Sequence, residues 1–119
     1  MTMKHLLNDI RSFTKARDWG KFHSPKNLST ALMIEAGELA EIFQWKETGK
    51  SECRELSCFE LRDAADEIGD IQIYLIMIAD RLNIDPLAAA ELKFAINKIK
   101  YPISKSHGNS AKYNDLEGK

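Results

Sequence analysis

Apolar residues recur at helical spacing in four segments of the chain, and none of the remaining segments forms a convincing strand pattern. Within each of these segments the apolar positions fall on one face of a helix. The predicted helices are about Lys4–Ala16, Ser24–Trp45, Ser57–Leu82 and Asp85–Lys100. The pattern therefore predicts an all-α protein built as a small four-helix bundle.

Capping residues support three of the four predicted helix starts. Ser24 is a suitable N-cap, and Pro25 follows it at the first helical position. Ser57 is followed three residues later by Glu60, the sequence pattern of a capping box. Asp85 precedes a proline and predicts the start of the fourth helix. The first helix is expected to break in the segment 17–24, which contains a glycine.

The chain length of 119 residues predicts one domain. We place a helical domain at residues 1–102 and a polar tail at 103–119. Two segments could cover a substrate, the charged connection at 47–57 and the tail, and the sequence does not decide between them. The third helix carries more apolar residues than a lone monomer needs, which predicts a subunit interface.

Composition and charge narrow the classes of partner. The net charge of −1 argues against binding of nucleic acid or of an anionic membrane by bulk electrostatics. No apolar run reaches the roughly 20 residues that a transmembrane helix needs, and the N-terminus lacks the pattern of a secretory signal. Cys53 and Cys58 are the only cysteines, and we expect reduced thiols in a cytoplasmic protein.

Two helices carry acidic residues close to their apolar stripes. In the second helix, Glu35 lies about 60° and Glu38 about 120° from the centre of the stripe, whereas Glu41 points away from it. In the third helix, Glu67 and Asp70 lie about 40° and 100° to one side of a seam centred on Ile71. When the stripes pack together, the four carboxylates can converge. That seam consists of Ala64, Ile68, Ile71, Leu75, Ile78 and Leu82.

Converging carboxylates need a compensating positive charge, because desolvation of an unpaired buried ion costs on the order of several kcal/mol. The neighbouring positions on these faces are apolar or aromatic, so a lysine or arginine is a poor candidate. A set of oxygen ligands suits Mg²⁺, with Mn²⁺ as a substitute. The alternative is that the acidic pairs are ordinary solvated helix flanks.

Three stretches of the sequence resemble the MazG-like nucleotide pyrophosphohydrolases, most closely their dCTP pyrophosphatase branch. The likeness covers residues 17 to 102 and includes the signature E-x-x-E followed by E-x-x-D, formed by Glu35, Glu38, Glu67 and Asp70. The matching stretches are RDWGKFHSPKNLSTALMIEAGELAEIFQWK, DEIGDIQIYLIMIADRLNID and KFAINKIKYP.

The resemblance implies an all-α, Mg²⁺-dependent enzyme that cleaves a nucleoside triphosphate between the α and β phosphates. The implied products are a nucleoside monophosphate and pyrophosphate, and the implied assembly is a homodimer or a tetramer made of two dimers. The four signature carboxylates resemble the metal ligands, one of which would also orient or deprotonate the attacking water. The residues that resemble substrate contacts are Trp19 and Trp45 for the base, and Tyr74, Lys93 and Asn97 for the sugar and phosphates.

One position departs from the family pattern. Relatives that prefer dCTP carry a histidine on the first helix, where this sequence has Ile10. The first expected substrate is dCTP or a 5-modified dCTP, in a role of cleaning the nucleotide pool. The alternative enzyme is a related pyrophosphohydrolase that acts on dUTP or on many triphosphates. A non-enzymatic alternative is a helical oligomerisation module, for which the acidic pairs would be incidental.

Overall fold

A computed structural model describes residues 1–116 of the chain, and these residues form helices and no strand. The all-α prediction is confirmed. The helices are α1 (Met3–Ala16), α2 (Pro25–Phe43), α3 (Cys58–Arg81), α4 (Pro86–Lys100), α5 (Ile103–Ser106) and α6 (Tyr113–Leu116). Single 3₁₀ turns lie in the connections, at Gly20–Phe22, Thr48–Lys50 and Cys53–Glu55.

The predicted caps are present at the starts of α2, α3 and α4. The Ser24 hydroxyl accepts a hydrogen bond from the backbone N–H of Asn27 at 3.1 Å. Ser57 and Glu60 form the complete capping box, with both reciprocal bonds at 3.0 to 3.1 Å. The Asp85 carboxylate accepts from two backbone N–H groups of the first turn of α4. At its other end α2 stops at Phe43, two residues earlier than predicted.

Helices α1 and α3 end in the same backbone motif. After α1, Asp18 takes the left-handed conformation with φ 53°, and the Trp19 N–H donates to the Thr14 carbonyl at 3.0 Å. After α3, Asn83 has φ 56°, and the Ile84 N–H donates to the carbonyl of Ala79. These are Schellman motifs, with Asp and Asn in place of the more frequent glycine. The first helix thus ends within the predicted segment 17–24, through the left-handed Asp18.

Helices α2 and α3 form the main packing pair of the first part of the chain. At one end, Lys46 just after α2 forms an ion pair with Glu60 in the first turn of α3, with Nζ and Oε2 2.9 Å apart. At the other end, Leu28 of α2 and Met77 of α3 line one hollow. The two helices therefore run antiparallel. Leu28 is the most deeply buried large side chain among the described residues, with 1% of its surface exposed.

Helix α1 packs on the C-terminal half of α3. The Arg11 guanidinium forms a two-pronged contact with Asp80, in which the Nε–Oδ2 distance is 3.0 Å. This contact lowers the pKa of the Asp80 carboxyl, chiefly through the hydrogen bond from Arg11. The pair fixes α1 in register against α3.

The buried face of α3 differs from the predicted seam. Ile76 and Ala79 are buried, whereas Ile68, Leu75 and Leu82 remain 47%, 44% and 50% exposed. The reason is that α3 contacts α1 as well as α2, so its C-terminal half buries a face that a single stripe centred on Ile71 does not include. The sequence predicted one continuous seam on α3 that packs into the core. Within one chain α3 does not bury that seam as a whole, so the prediction is wrong.

The chain divides into two compact units, Met1–Ile84 and a second unit that begins at Asp85. The predicted boundary at residue 102 stays a prediction, and the predicted tail contains the one-turn helices α5 and α6. None of the helices in residues 1–116 has the length and apolarity to cross a membrane. Cys53 and Cys58 are both free and exposed, as expected for reduced thiols.

Candidate active site

Three of the predicted carboxylates meet between α2 and α3. Glu35 and Glu38 lie one turn apart on α2, and Glu67 faces them from α3. Each offers an oxygen atom, and these three atoms all lie within 4.8 Å of one another. We call these three residues the acidic cluster. Three of the four predicted carboxylates therefore converge, and Asp70 is not among them.

The packing of the two helices explains the position of the acidic cluster. Glu35 follows the buried Leu28 by seven residues, which places both side chains within about 20° on the same face of α2. Glu67 follows the buried Ala64 by one turn of α3. The faces that pack α2 against α3 thus carry the carboxylates toward each other.

Hydrogen bonding, burial and mutual repulsion raise the pKa values of two members of the acidic cluster. The pKa of Glu35 is raised, first because its protonated form can donate to Glu67, then by burial and by the charges of Glu67 and Asp70. A contact with Glu38 opposes part of this change. The pKa of Glu38 is raised as well, mainly by the hydrogen bond and the charge of Glu35. The arrangement therefore resists full ionisation unless positive charge is supplied.

Two oxygen atoms of the acidic cluster are buried without a donor. Among residues 1–116, Oε2 of Glu35 and Oε2 of Glu67 have no hydrogen-bond partner. No lysine or arginine of the described chain forms an ion pair with the cluster. Buried carboxylate oxygens without donors are costly, and a hard divalent cation is a ligand that satisfies them.

Asp70 is not a member of the acidic cluster. Its charge contributes to the raised pKa of Glu35, so the two carboxylates interact electrostatically. Its own side chain is exposed and lines a cavity between α1 and α3. The fourth signature residue thus lines this cavity and also acts on Glu35 through its charge.

The cavity between α1 and α3, which we call the α1–α3 cavity, has a volume of about 340 Å³. That volume is in the range of small-molecule sites. Its apolar wall consists of Ile10, Phe13, Trp19, Ile73 and Met77. Its polar groups are Asp9, Thr14, His23, Asp70 and Tyr74. A flat ligand could occupy this space, and an anionic group on that ligand would need a cation between it and these carboxylates.

The Schellman motif at the end of α1 brings Trp19 to the α1–α3 cavity. The chain reverses at Asp18, and the Trp19 ring then packs edge-to-face against Phe13, with centroids 5.6 Å apart at 77°. On another side it meets His23 at 6.3 Å and 83°. The ring remains 42% exposed. Trp19 therefore combines a fixed position with a surface available to a ligand.

The structure separates the other predicted contacts. Tyr74 is half-buried and lines the α1–α3 cavity. Trp45 is 89% exposed in the turn after α2, and it lines a different hollow together with Lys46 and Lys50. Lys93 and Asn97 lie on α4 of the second unit, where Lys93 is exposed and Asn97 half-buried. The functions assigned to these residues stay predictions.

Several residues of the α1–α3 cavity were not recognised from sequence. Asp9 and Phe13 lie one turn apart on α1, as do Ile73 and Met77 on α3. Helical spacing marks each pair as sharing a face, but it does not reveal that the two faces enclose a cavity. Tertiary packing was needed to identify them.

Glu41 is exposed, as expected. It lines a hollow together with Glu38 and Glu67. Asp63 and Asp66 line the same hollow from α3. The negative charge of this region therefore extends beyond the four signature residues.

Comparisons with known proteins identify relatives of this chain. The MazG-like family model matches residues 30–116. The chain is 41% identical over 114 residues to dCTP pyrophosphatase 1 of Bos taurus, covering 92% of this chain and 68% of that protein. For dCTP pyrophosphatase 1 of Homo sapiens the identity is 40%, with 92% and 67% covered.

A solved structure is similar as well. It is a pyrophosphatase from Archaeoglobus fulgidus, 39% identical, which superposes with a TM-score of 0.78 over 84% of this chain and 92% of the other. These relationships confirm the resemblance found in the sequence and the prediction of an enzyme, so the non-enzymatic alternative is set aside. The chain belongs to the MazG-like family and is a nucleoside triphosphate pyrophosphohydrolase.

Proposed function

We propose that the protein is a Mg²⁺-dependent enzyme that cleaves a nucleoside triphosphate between the α and β phosphates. The proposed products are the monophosphate and pyrophosphate, and the first proposed substrate is dCTP or a 5-modified dCTP, removed from the nucleotide pool of the cytoplasm. One observation carries the proposal: an acidic cluster with two buried oxygen atoms that lack donors lies beside a mostly apolar cavity. The relatives named as dCTP pyrophosphatases support the choice of substrate.

The residues present fit a divalent cation. The donor set consists only of carboxylate oxygens, which suits Mg²⁺ and also Mn²⁺. Glu35, Glu38, Glu67 and Asp70 would hold the metal. When bound, it supplies charge neutralisation for the phosphates and a more acidic water.

The remaining chemistry falls to the side chains of the chain itself. A carboxylate of the acidic cluster can orient the attacking water and accept its proton, since an ionised carboxylate is an acceptor. Trp19 would stack on the base in the α1–α3 cavity, with Tyr74 beside the sugar. Trp45, Lys93 and Asn97 are proposed as further contacts to the base, sugar and phosphates.

Pyrophosphate release from dCTP in the presence of Mg²⁺ tests the proposal. Glu35→Gln and Asp70→Asn should each abolish turnover while the far-ultraviolet circular dichroism stays helical. Asp18→Asn is a suitable control, because its carboxylate forms only an exposed ion pair with Lys21 and Asn tolerates the left-handed conformation. Near wild-type turnover in either signature variant would show that the proposed metal site is wrong.

The choice among nucleotides requires a panel of triphosphates. The alternative substrates are dUTP or a broad set, and Ile10 on the wall of the α1–α3 cavity is the residue that favours them. Parallel assays of dCTP, 5-methyl-dCTP, dUTP, dTTP and dATP should give the highest kcat/KM for a cytosine nucleotide. Equal rates for all of them would favour the broad alternative.

We also propose assembly as a homodimer or as a tetramer of two dimers. The observation that supports it is a row of exposed apolar side chains on α3 at intervals of seven residues, which a second copy could cover. The row consists of Leu61, Ile68, Leu75 and Leu82. Light scattering after size exclusion should give a dimer or tetramer for the wild type and a smaller species for Leu75→Glu. A monomeric wild type would contradict the assembly and leave the chemistry untouched.

A further inference from the structure

Asp9 is a carboxylate in the α1–α3 cavity that has no assigned task. It lies on α1 one turn before Phe13, and the two side chains border the cavity from the same face of the helix. Within residues 1–116, Asp9 has no hydrogen-bond or ion-pair partner. It is not one of the four signature carboxylates, of which Asp70 lines the same cavity from α3. A ligand in the cavity would therefore meet a free carboxylate on the α1 side.

The polar groups on this side accept hydrogen bonds. An ionised carboxylate such as Asp9 can only accept. The Thr14 hydroxyl donates its proton to the Arg11 carbonyl at 3.1 Å, so its lone pairs are left to accept from a ligand. No lysine or arginine lines this cavity in the described part of the chain. His23 and Tyr74 can donate or accept, and hence they set no fixed direction.

The edge of a nucleobase that suits acceptors is one with an exocyclic amino group. Cytosine presents its N4 amino group where uracil and thymine present the O4 carbonyl, and Asp or Glu accepting from cytosine N4 is a recurrent pairing in nucleic-acid recognition. A carbonyl at that position would face the Asp9 carboxylate with no proton between them. The apolar wall of Ile10 and Phe13 offers no donor that could compensate.

We infer that Asp9 determines base specificity, by accepting a hydrogen bond from the exocyclic amino group of cytosine and disfavouring the O4 carbonyl of uracil and thymine. This inference rests on the proposed function, because it requires that the α1–α3 cavity holds the base of the substrate. Asp9 would then favour cytosine in this chain, where Ile10 stands at the position of the histidine found in relatives that prefer dCTP.

The test is the ratio of kcat/KM for dCTP to kcat/KM for dUTP, measured with Asp9→Asn. The amide keeps the shape of the side chain but can also donate to O4, so the ratio should fall at least tenfold. Asp18→Asn is the matched control: it makes the same chemical change one residue before Trp19 but outside the cavity, and it should leave the ratio unchanged. Comparison with dTTP should give the same trend.

A second measurement is independent of catalysis. Calorimetric binding of dCMP and dUMP should show a preference for dCMP in the wild type that Asp9→Ala removes. An unchanged ratio in Asp9→Asn, an equal fall in Asp18→Asn, or a wild type that does not prefer cytosine would overturn the inference while leaving the pyrophosphohydrolase activity in place. A wild type that releases no pyrophosphate from any triphosphate would overturn the proposed function, and the inference with it.

Discussion

Replacement of Trp19 by alanine tests whether the α1–α3 cavity binds the base. The ring is 42% exposed, and its aromatic neighbours Phe13 and His23 meet it at 77° and 83°. Neither neighbour is stacked in parallel on the indole. The Arg17 guanidinium lies at the limit of contact, 6.0 Å from the ring centroid. A base can therefore stack on the exposed part of the ring.

The size of the expected effect follows from this partial exposure. Base stacking on an aromatic side chain contributes about 1–3 kcal/mol. Since more than half of the Trp19 surface is already covered, we expect the lower part of this range, about 1–2 kcal/mol, which corresponds to a loss of affinity of about 5- to 30-fold. KM for dCTP should rise by a similar factor, with a smaller change in kcat.

The assay is the dissociation constant of a non-hydrolysable dCTP analogue, measured by calorimetry beside the KM. Phe22→Ala is the control, because Phe22 is an exposed aromatic residue of the same connection and does not line the cavity. The reasoning is refuted if Trp19→Ala changes the affinity less than twofold, or if Phe22→Ala has an equal effect. In either case the only function left to Trp19 would be its packing against Phe13.

Three further predictions concern stability and metal binding. Leu28→Ala should lower the free energy of unfolding by about 2–5 kcal/mol in urea titrations, because the side chain is fully buried, whereas Met33→Ala on the exposed face of α2 should change it by less than about 0.5 kcal/mol. Mg²⁺ should raise the melting temperature of the wild type through mass action and should not raise that of Glu35→Gln; equal shifts would contradict metal binding at the acidic cluster. The contact with Arg11 lowers the pKa of Asp80, so its stabilisation is present above the ordinary value of 3.8 and is lost as the pH falls through the lowered pKa. The melting temperatures of the wild type and Asp80→Asn should therefore converge in acid, and a constant difference would contradict this assignment.

The helices and their starts could be predicted because their signals are local. A hydroxyl or carboxylate at the N-cap, as at Ser24 and Ser57, acts within three residues of sequence. The end of α1 was harder to predict, since Asp18 adopts a left-handed conformation that is more usual for glycine. The sequence predicted a break within the segment 17–24 but not the residue that makes it, and Gly20 lies in the following 3₁₀ turn.

The candidate site was predictable to the extent that helical geometry determines it. Angular offsets on two helices were sufficient to bring Glu35, Glu38 and Glu67 together. They were not sufficient to place Asp70, which borders the α1–α3 cavity, because that cavity depends on how α1 packs against α3. For the same reason, the position of Asp9 on the wall of this cavity could not be predicted. Pairwise helix packing is a tertiary property, and a periodic pattern in one helix does not specify its second neighbour.

The distribution of ion pairs explains why the acidic cluster has no cationic partner among the described residues. At each end of the α2–α3 pair, one cation is engaged by a carboxylate of α3. Lys46 pairs with Glu60 at the start of α3, and Arg11 pairs with Asp80 near its end. The cluster between them receives neither, so its buried oxygens stay without donors within the described chain. A lysine there would stabilise the metal-free fold but would also occupy the oxygens that a catalytic cation requires. The ion pairs at the two ends thus fix the helices while leaving the charge between them free for a metal and its phosphates.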